Sequence, residues 1–158
     1  MIIFARITPY STLLMKRILL LLAGLMALAA CKETTEVPFT ELERYFFKNG
    51  QEIPQDPKVD TAEEFATLFG AAAVMGEGGK PTPIDWAHEF VIAVVNPVTD
   101  CATELAPESL RLDGGELVFT YTETVGEKQT WTMQPILLVK VDRKYEATTV
   151  RLQVLTAE

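Results

Sequence analysis

The spacing of hydrophobic residues changes twice along this 158-residue chain. Residues 18–30 are almost unbroken apolar. In 38–50 and again in 61–70 the apolar residues recur at intervals of three and four, as on one face of a helix, with a loop over 51–59 that holds Pro54 and Pro57. Beyond Ile84 they run continuously or alternate, as in strands. Thr40 followed by Glu43 is a capping box, and Leu42, Tyr45 and Phe46 then fall at helical spacing. A short helix is expected over 38–50, closed by Gly50, although Tyr45-Phe46-Phe47 also has strand character. Thr61-Ala62-Glu63-Glu64 is a second capping box. Phe65, Leu68 and Phe69 form an apolar stripe behind it, with Gly70 as the closing residue. Asp60-Thr61-Ala62 is similar to a short O-glycosylation signal, but a helix cap explains Thr61 more simply.

Phe90-Val91-Ile92-Ala93-Val94-Val95 reads as a strand buried on both faces, broken by Asn96-Pro97. Residues 101–105 are a second short strand. Residues 109–112 form a third, which reaches a turn at Asp113-Gly114-Gly115. Leu117, Phe119 and Tyr121 alternate with polar neighbours, the mark of a half-buried strand. A turn is expected at Val125-Gly126-Glu127-Lys128, with 130–133 pairing back across it. Pro135 points to an edge or bulge. Residues 136–141 are another apolar strand, Asp142-Arg143-Lys144 turns, and Val150, Leu152 and Val154 alternate through the last strand. The expected class is α+β: mainly an antiparallel β-sandwich or small barrel, with two short N-terminal helices packed at one end or face.

The apolar run of 13 residues (18–30) is too short to span a bilayer, which takes roughly 20. Lys16-Arg17 before it and small residues after it give it the layout of a secretory signal. Leu28-Ala29-Ala30-Cys31 resembles the lipobox of bacterial lipoproteins. That resemblance implies cleavage before Cys31, a diacylglycerol on its sulfur and acylation of the new amine, so that lipid tethers the protein to the cell envelope, most readily the outer membrane. Two or more acyl chains hold a protein on a bilayer stably. Translation is expected to start at Met15, since residues 1–14 look like an upstream extension. Residues 31–37 would form a polar tether, and 38–158 a single globular domain.

Charge narrows the partners. All 22 acidic residues lie beyond the signal, and Arg6, Lys16 and Arg17 leave with it, so residues 31–158 carry 11 − 22 = −11. Such a chain is repelled by nucleic acid and by anionic surfaces. Contact with the membrane is expected through the lipid on Cys31, not through the protein surface. With Cys31 lipidated, Cys101 has no disulfide partner in the chain, and one His with one thiol does not make a zinc site. No metal or cofactor is expected.

An enzyme needs a constellation of groups. The sequence offers Cys101 with His88 as a formal dyad, and Asp85 with Glu89 or Asp100 with Glu104 as paired carboxylates. In so acidic a chain a solvated face explains such pairs. Trp86 and Trp131 would offer stacking faces if exposed, although burial is the commoner fate. The stretch 76–83 is rich in Gly and Pro, but it lacks the Gly-Lys-Ser/Thr of a phosphate-binding loop. No catalytic residue is assigned.

A further resemblance rests on Phe69-Gly70-Ala71-Ala72, Lys80-Pro81-Thr82 with Ile84-Asp85-Trp86, Phe90-Val91-Ile92-Ala93-Val94, and Met133-Gln134-Pro135 leading into Ile136-Leu137-Leu138-Val139. Together these resemble the C-terminal domain of PrcB-like lipoproteins, non-catalytic subunits that associate with surface proteases. That family's Thr-Gly-Gly-Tyr after the first apolar strand is replaced here by Thr99-Asp100-Cys101-Ala102. The resemblance implies a non-enzymatic β interaction domain with a protease as partner. The exposed loops then become the candidate partner-binding residues: Gly76, Gly78, Gly79, Lys80 and Thr82 in one, Thr99 and Asp100 in the other. A small-ligand or glycan-binding lipoprotein is the alternative, and a thiol enzyme using Cys101 the least favoured reading.

Overall fold

The computed structural model describes residues 34–72 and 79–156, all within the compact unit Thr34–Glu158. Ten strands and one α-helix build it: β1 (Thr34–Glu36), β2 (Phe39–Glu41), β3 (Tyr45–Phe47), β4 (Lys58–Val59), α1 (Ala62–Leu68), β5 (Phe69–Ala71), β6 (Glu89–Val95), β7 (Thr99–Asp113), β8 (Glu116–Met133), β9 (Ile136–Asp142) and β10 (Thr149–Thr156). The first four-stranded sheet has the order β1-β7-β8-β10 and the second the order β2-β9-β6-β4. A two-stranded piece joins β3 and β5. The fold is an α+β sandwich, as the strand pattern predicts, but with one helix in place of two.

The layers follow from alternation along β6. Phe90, Ile92 and Val94 pack with Leu110, Leu117, Phe119, Leu137 and Val139 to fill the space between the two sheets. Val91 and Ala93 point the other way, onto a second core with Val59, Leu138, Phe47, Phe65 and Phe69. The second sheet is therefore covered on both faces, which is why β6 and β9 are nearly continuous apolar runs. Helix α1 and the β3–β5 pair form the third layer. The helix starts as expected: Thr61 Oγ1 accepts from the Glu64 N–H (3.2 Å), and of the stripe Phe65 in the helix and Phe69 just beyond it are buried.

The helix expected over 38–50 does not form. β2 pairs antiparallel with β9 and β3 with β5. Arg44 between them adopts φ 66°, which no helix tolerates. The bend turns Leu42 and Phe47 onto the second core. Thr40 sits in β2 opposite Lys140 and caps nothing. Burial of Leu42 and Phe47 against a preformed sheet outweighs a local capping preference of about 1 kcal/mol. Gly50 does take a left-handed turn (φ 82°) after β3. Gly70 closes no helix; it lies inside β5. The expected tether is also shorter: the sheet begins at Thr34, and Val37 is buried.

The turn at Gly114-Gly115 has positive φ at both residues (59° and 87°), the geometry that a two-residue hairpin requires. The two strands that meet there are much longer than the pattern predicts. The expected strands 101–105 and 109–112 merge into β7, with a register shift between Pro107 and Ser109. The expected turn at 125–128 is absent, because β8 runs through it to Met133 with β7 as its partner. Surplus residues are absorbed as bulges. From Thr103 back to Cys101 is two steps, whereas Val125 to Lys128 is three. From Cys101 to Thr99 is again two, whereas Lys128 to Met133 is five. Pro135 falls between strands, where its carbonyl accepts from the Asn96 N–H (3.0 Å). The last strand, β10, pairs with β8 in parallel, not antiparallel as expected. Val150 and Leu152 face the core, but Val154 is exposed.

Candidate functional site

The expected partner-binding residues fall in two places. Gly76, Gly78 and Cys31, the expected lipidation residue, lie outside the described residues. Gly79 is buried and Lys80 is exposed. Thr82 is held on three sides: the Glu43 N–H donates to its Oγ1 (3.0 Å), the Tyr45 hydroxyl donates to its carbonyl (2.7 Å), and its own N–H donates to the Glu43 carbonyl (3.2 Å). Burial raises the Tyr45 phenol above its ordinary value, favouring the protonated donor. Thr82 therefore pins the segment that precedes Trp86 to the third layer. Thr99 and Asp100 instead begin β7. Thr99 Oγ1 accepts from the Cys101 N–H (3.1 Å), and Asp100 pairs with Lys128 across the ladder (2.7 Å).

The groups considered for chemistry are dispersed. His88 is exposed in the turn before β6, and its Nδ1 meets Asp85 Oδ2 at 2.8 Å. The hydrogen bond from His88, then that from the Ala87 N–H, lowers the Asp85 pKa. Cys101 is half-buried beyond the other end of β6. The seven residues of β6, at about 3.3 Å each, keep it from His88. Glu89 is occupied twice, accepting from the Asp85 N–H (2.8 Å) and pairing with Lys140 (3.0 Å). Among the described residues, no group of three His, Cys, Asp or Glu side chains is placed to hold a metal ion. Nor is any helix there long and apolar enough to cross a membrane.

The two tryptophans part company. Trp86 packs on Phe65 with ring centroids 5.4 Å apart, in the second core. Trp131 is 55% exposed, in the widest bulge of β8. It borders an open groove of about 440 Å³ with Met133, Ala102, Glu104, Thr124 and Gly126. The sequence favoured burial of Trp131 only because burial is the commoner fate of a tryptophan. The only sequence hint of exposure was its polar surroundings, Lys128-Gln129-Thr130 and Thr132.

No family model, curated protein or solved structure matches the chain.

Proposed function

We propose that this is a lipid-anchored, non-enzymatic protein of the bacterial envelope that uses its β-sandwich as a protein-interaction module. The observation that carries the reading is the order Lys16-Arg17, apolar run, Leu28-Ala29-Ala30-Cys31. The strong negative charge supports attachment by lipid and not by the protein surface. Within this reading, the PrcB-like sequence features favour service as an accessory or inhibitor-like subunit of a protease.

The test is metabolic labelling with a palmitate analogue, and intact mass, on the full chain and on Cys31→Ser. Label and the mass of a lipidated chain cut before Cys31 are expected for the first and not for the second. An unlabelled, uncut wild-type chain would overturn the anchor. Crosslinking in the native envelope then tests the finer claim, with a stoichiometric protease expected among the products. A different stoichiometric protein would keep the interaction module and remove the protease.

A further inference from the structure

Beyond the sandwich, β7 and β8 continue as a two-stranded ribbon. Along 99–109, β7 pairs with β8 alone, since β1 reaches only Arg111, Leu112 and Asp113. No other described strand pairs with its outer edge there; side chains engage the Cys101 N–H, held by Thr99 Oγ1, and the Cys101 carbonyl, which accepts from Thr103 Oγ1. Natural edges of this length are guarded by Lys, by Pro, by bulges or by a covering segment. Here the first proline of the strand is Pro107, and the register is unbroken from Thr103 to Pro107, with two shifts before it between Thr99 and Thr103. Between Thr99 and Thr103 the surplus residues lie on β8, where they set Trp131 beside Ala102 and Glu104, whereas the bulge between Pro107 and Ser109 lies on β7.

Charge selects the occupant. The ribbon carries Asp100, Glu104, Glu108, Glu123 and Glu127 against one cation, Lys128, which Asp100 already engages. Pairing of this edge with the same edge of a second copy would set carboxylate against carboxylate, which destabilises a cross-strand ladder. A bare anionic lipid surface is repelled for the same reason. An extended segment with apolar residues and Lys or Arg alternating on one face satisfies the whole site: main chain on the β7 edge, aliphatic side chain over Ala102 against Trp131, cations at Asp100 and Glu104.

We propose that the β7 edge from Thr99 to Ala106, with the Trp131 groove beside it, accepts such a cationic, apolar segment of a partner protein by strand addition. The site lies at the far end of the ribbon from Thr34, which pairs with Asp113. Ala102 and Asp113 are eleven residue steps apart along β7, about 35 Å at the usual rise. The first strand is thus at the opposite end from the groove; neither the edge nor the groove rests on the anchored reading above.

The probe is a fluorescein-labelled peptide, Lys-Thr-Val-Thr-Lys-Thr-Val-Thr, titrated by anisotropy into the full chain in non-ionic detergent. Saturable binding is expected, weakened about tenfold by Trp131→Ala. It should fall with salt, and it should be lost when Glu replaces Lys in the peptide or Pro replaces its central Thr. Absence of saturable binding would overturn the proposal, as would equal binding of the Glu peptide or an unchanged Trp131→Ala titration. So would self-association of the chain, or binding to phosphatidylglycerol vesicles, that Trp131→Ala abolishes, since the groove would then belong to a second copy or to a bilayer. The same titration on Cys31→Ser separates the claims: peptide binding there survives failure of the lipid reading.

Discussion

The ring of Phe46 lies directly over Gly70, its cross-strand partner in the β3–β5 pair. A β-carbon placed on Gly70 would fall 2.4 Å from Phe46 Cζ. The glycine is thus retained as a seat for an aromatic ring, not for its backbone freedom. Phe46 is 48% exposed, so its ring can swing away. Gly70→Ala is expected to cost about 1 kcal/mol through lost packing. In a Phe46→Ala background the same change should cost nothing, or stabilise by a few tenths, as Ala replaces Gly in a strand. Urea unfolding of the four-member cycle checks this.

Tyr45 couples stability to alkaline pH. Its phenol donates to the Thr82 carbonyl, and burial raises its pKa. Burial, then the nearby Glu123 carboxylate, raises that of Tyr121. A raised pKa means that the folded state favours the protonated form. The stabilisation is therefore complete below the ordinary value of about 10 and is lost as pH rises through the higher folded values. The thermal midpoint should fall steeply above that pH. Tyr45→Phe should flatten part of the fall, while costing about 1 kcal/mol at neutral pH for the lost hydrogen bond.

Arg143 ties three segments together after β9. Its Nη2 donates to the carbonyls of Asp60 and Glu89 (2.9 Å each), and its Nη1 meets Glu146. Arg143→Ala leaves two carbonyls without their donor and should cost about 2–4 kcal/mol. Arg143→Lys should recover little of this, because one ammonium does not span the positions a planar fork reaches. Denaturant midpoints of the two variants decide the point.

The tryptophans should behave oppositely. Trp131→Ala, at an exposed site, is expected to shift stability by no more than about 0.5 kcal/mol. Trp86→Ala removes the neighbour of Phe65 from the second core and should cost about 2 kcal/mol, somewhat below the range for a fully buried tryptophan. Thermal unfolding of both variants is sufficient.

What could be read in the sequence was what local pattern determines. Residues 90–95 declared burial on both faces. Gly114-Gly115 declared a tight hairpin, and Thr61 with Glu64 declared the start of α1. What escaped depended on distant partners. The capping box at Thr40 and Glu43 was overridden because β9 and β5 offer ladders to either side of Arg44. The Gly at 126 looked like a turn, yet a strand of matching length stood opposite to carry β8 onward. Trp131 could not be placed without that register. Of the candidate binding residues, Thr82 proved to be engaged within the fold, while Asp100 lies on the ribbon beside the groove.

The parallel pairing of β10 with β8 has a mechanical consequence. Thr34 stands opposite Asp113, at the hairpin end, whereas β10 runs from beside Glu116 to beside Glu123, away from it. A pull between Thr34 and the end of the last strand therefore acts along β10, not across it. Its ladder bonds would be loaded together in shear, and none could open before the others. A protein moored at one end and gripped at the other would resist detachment like a lap joint under tension, not like a zip.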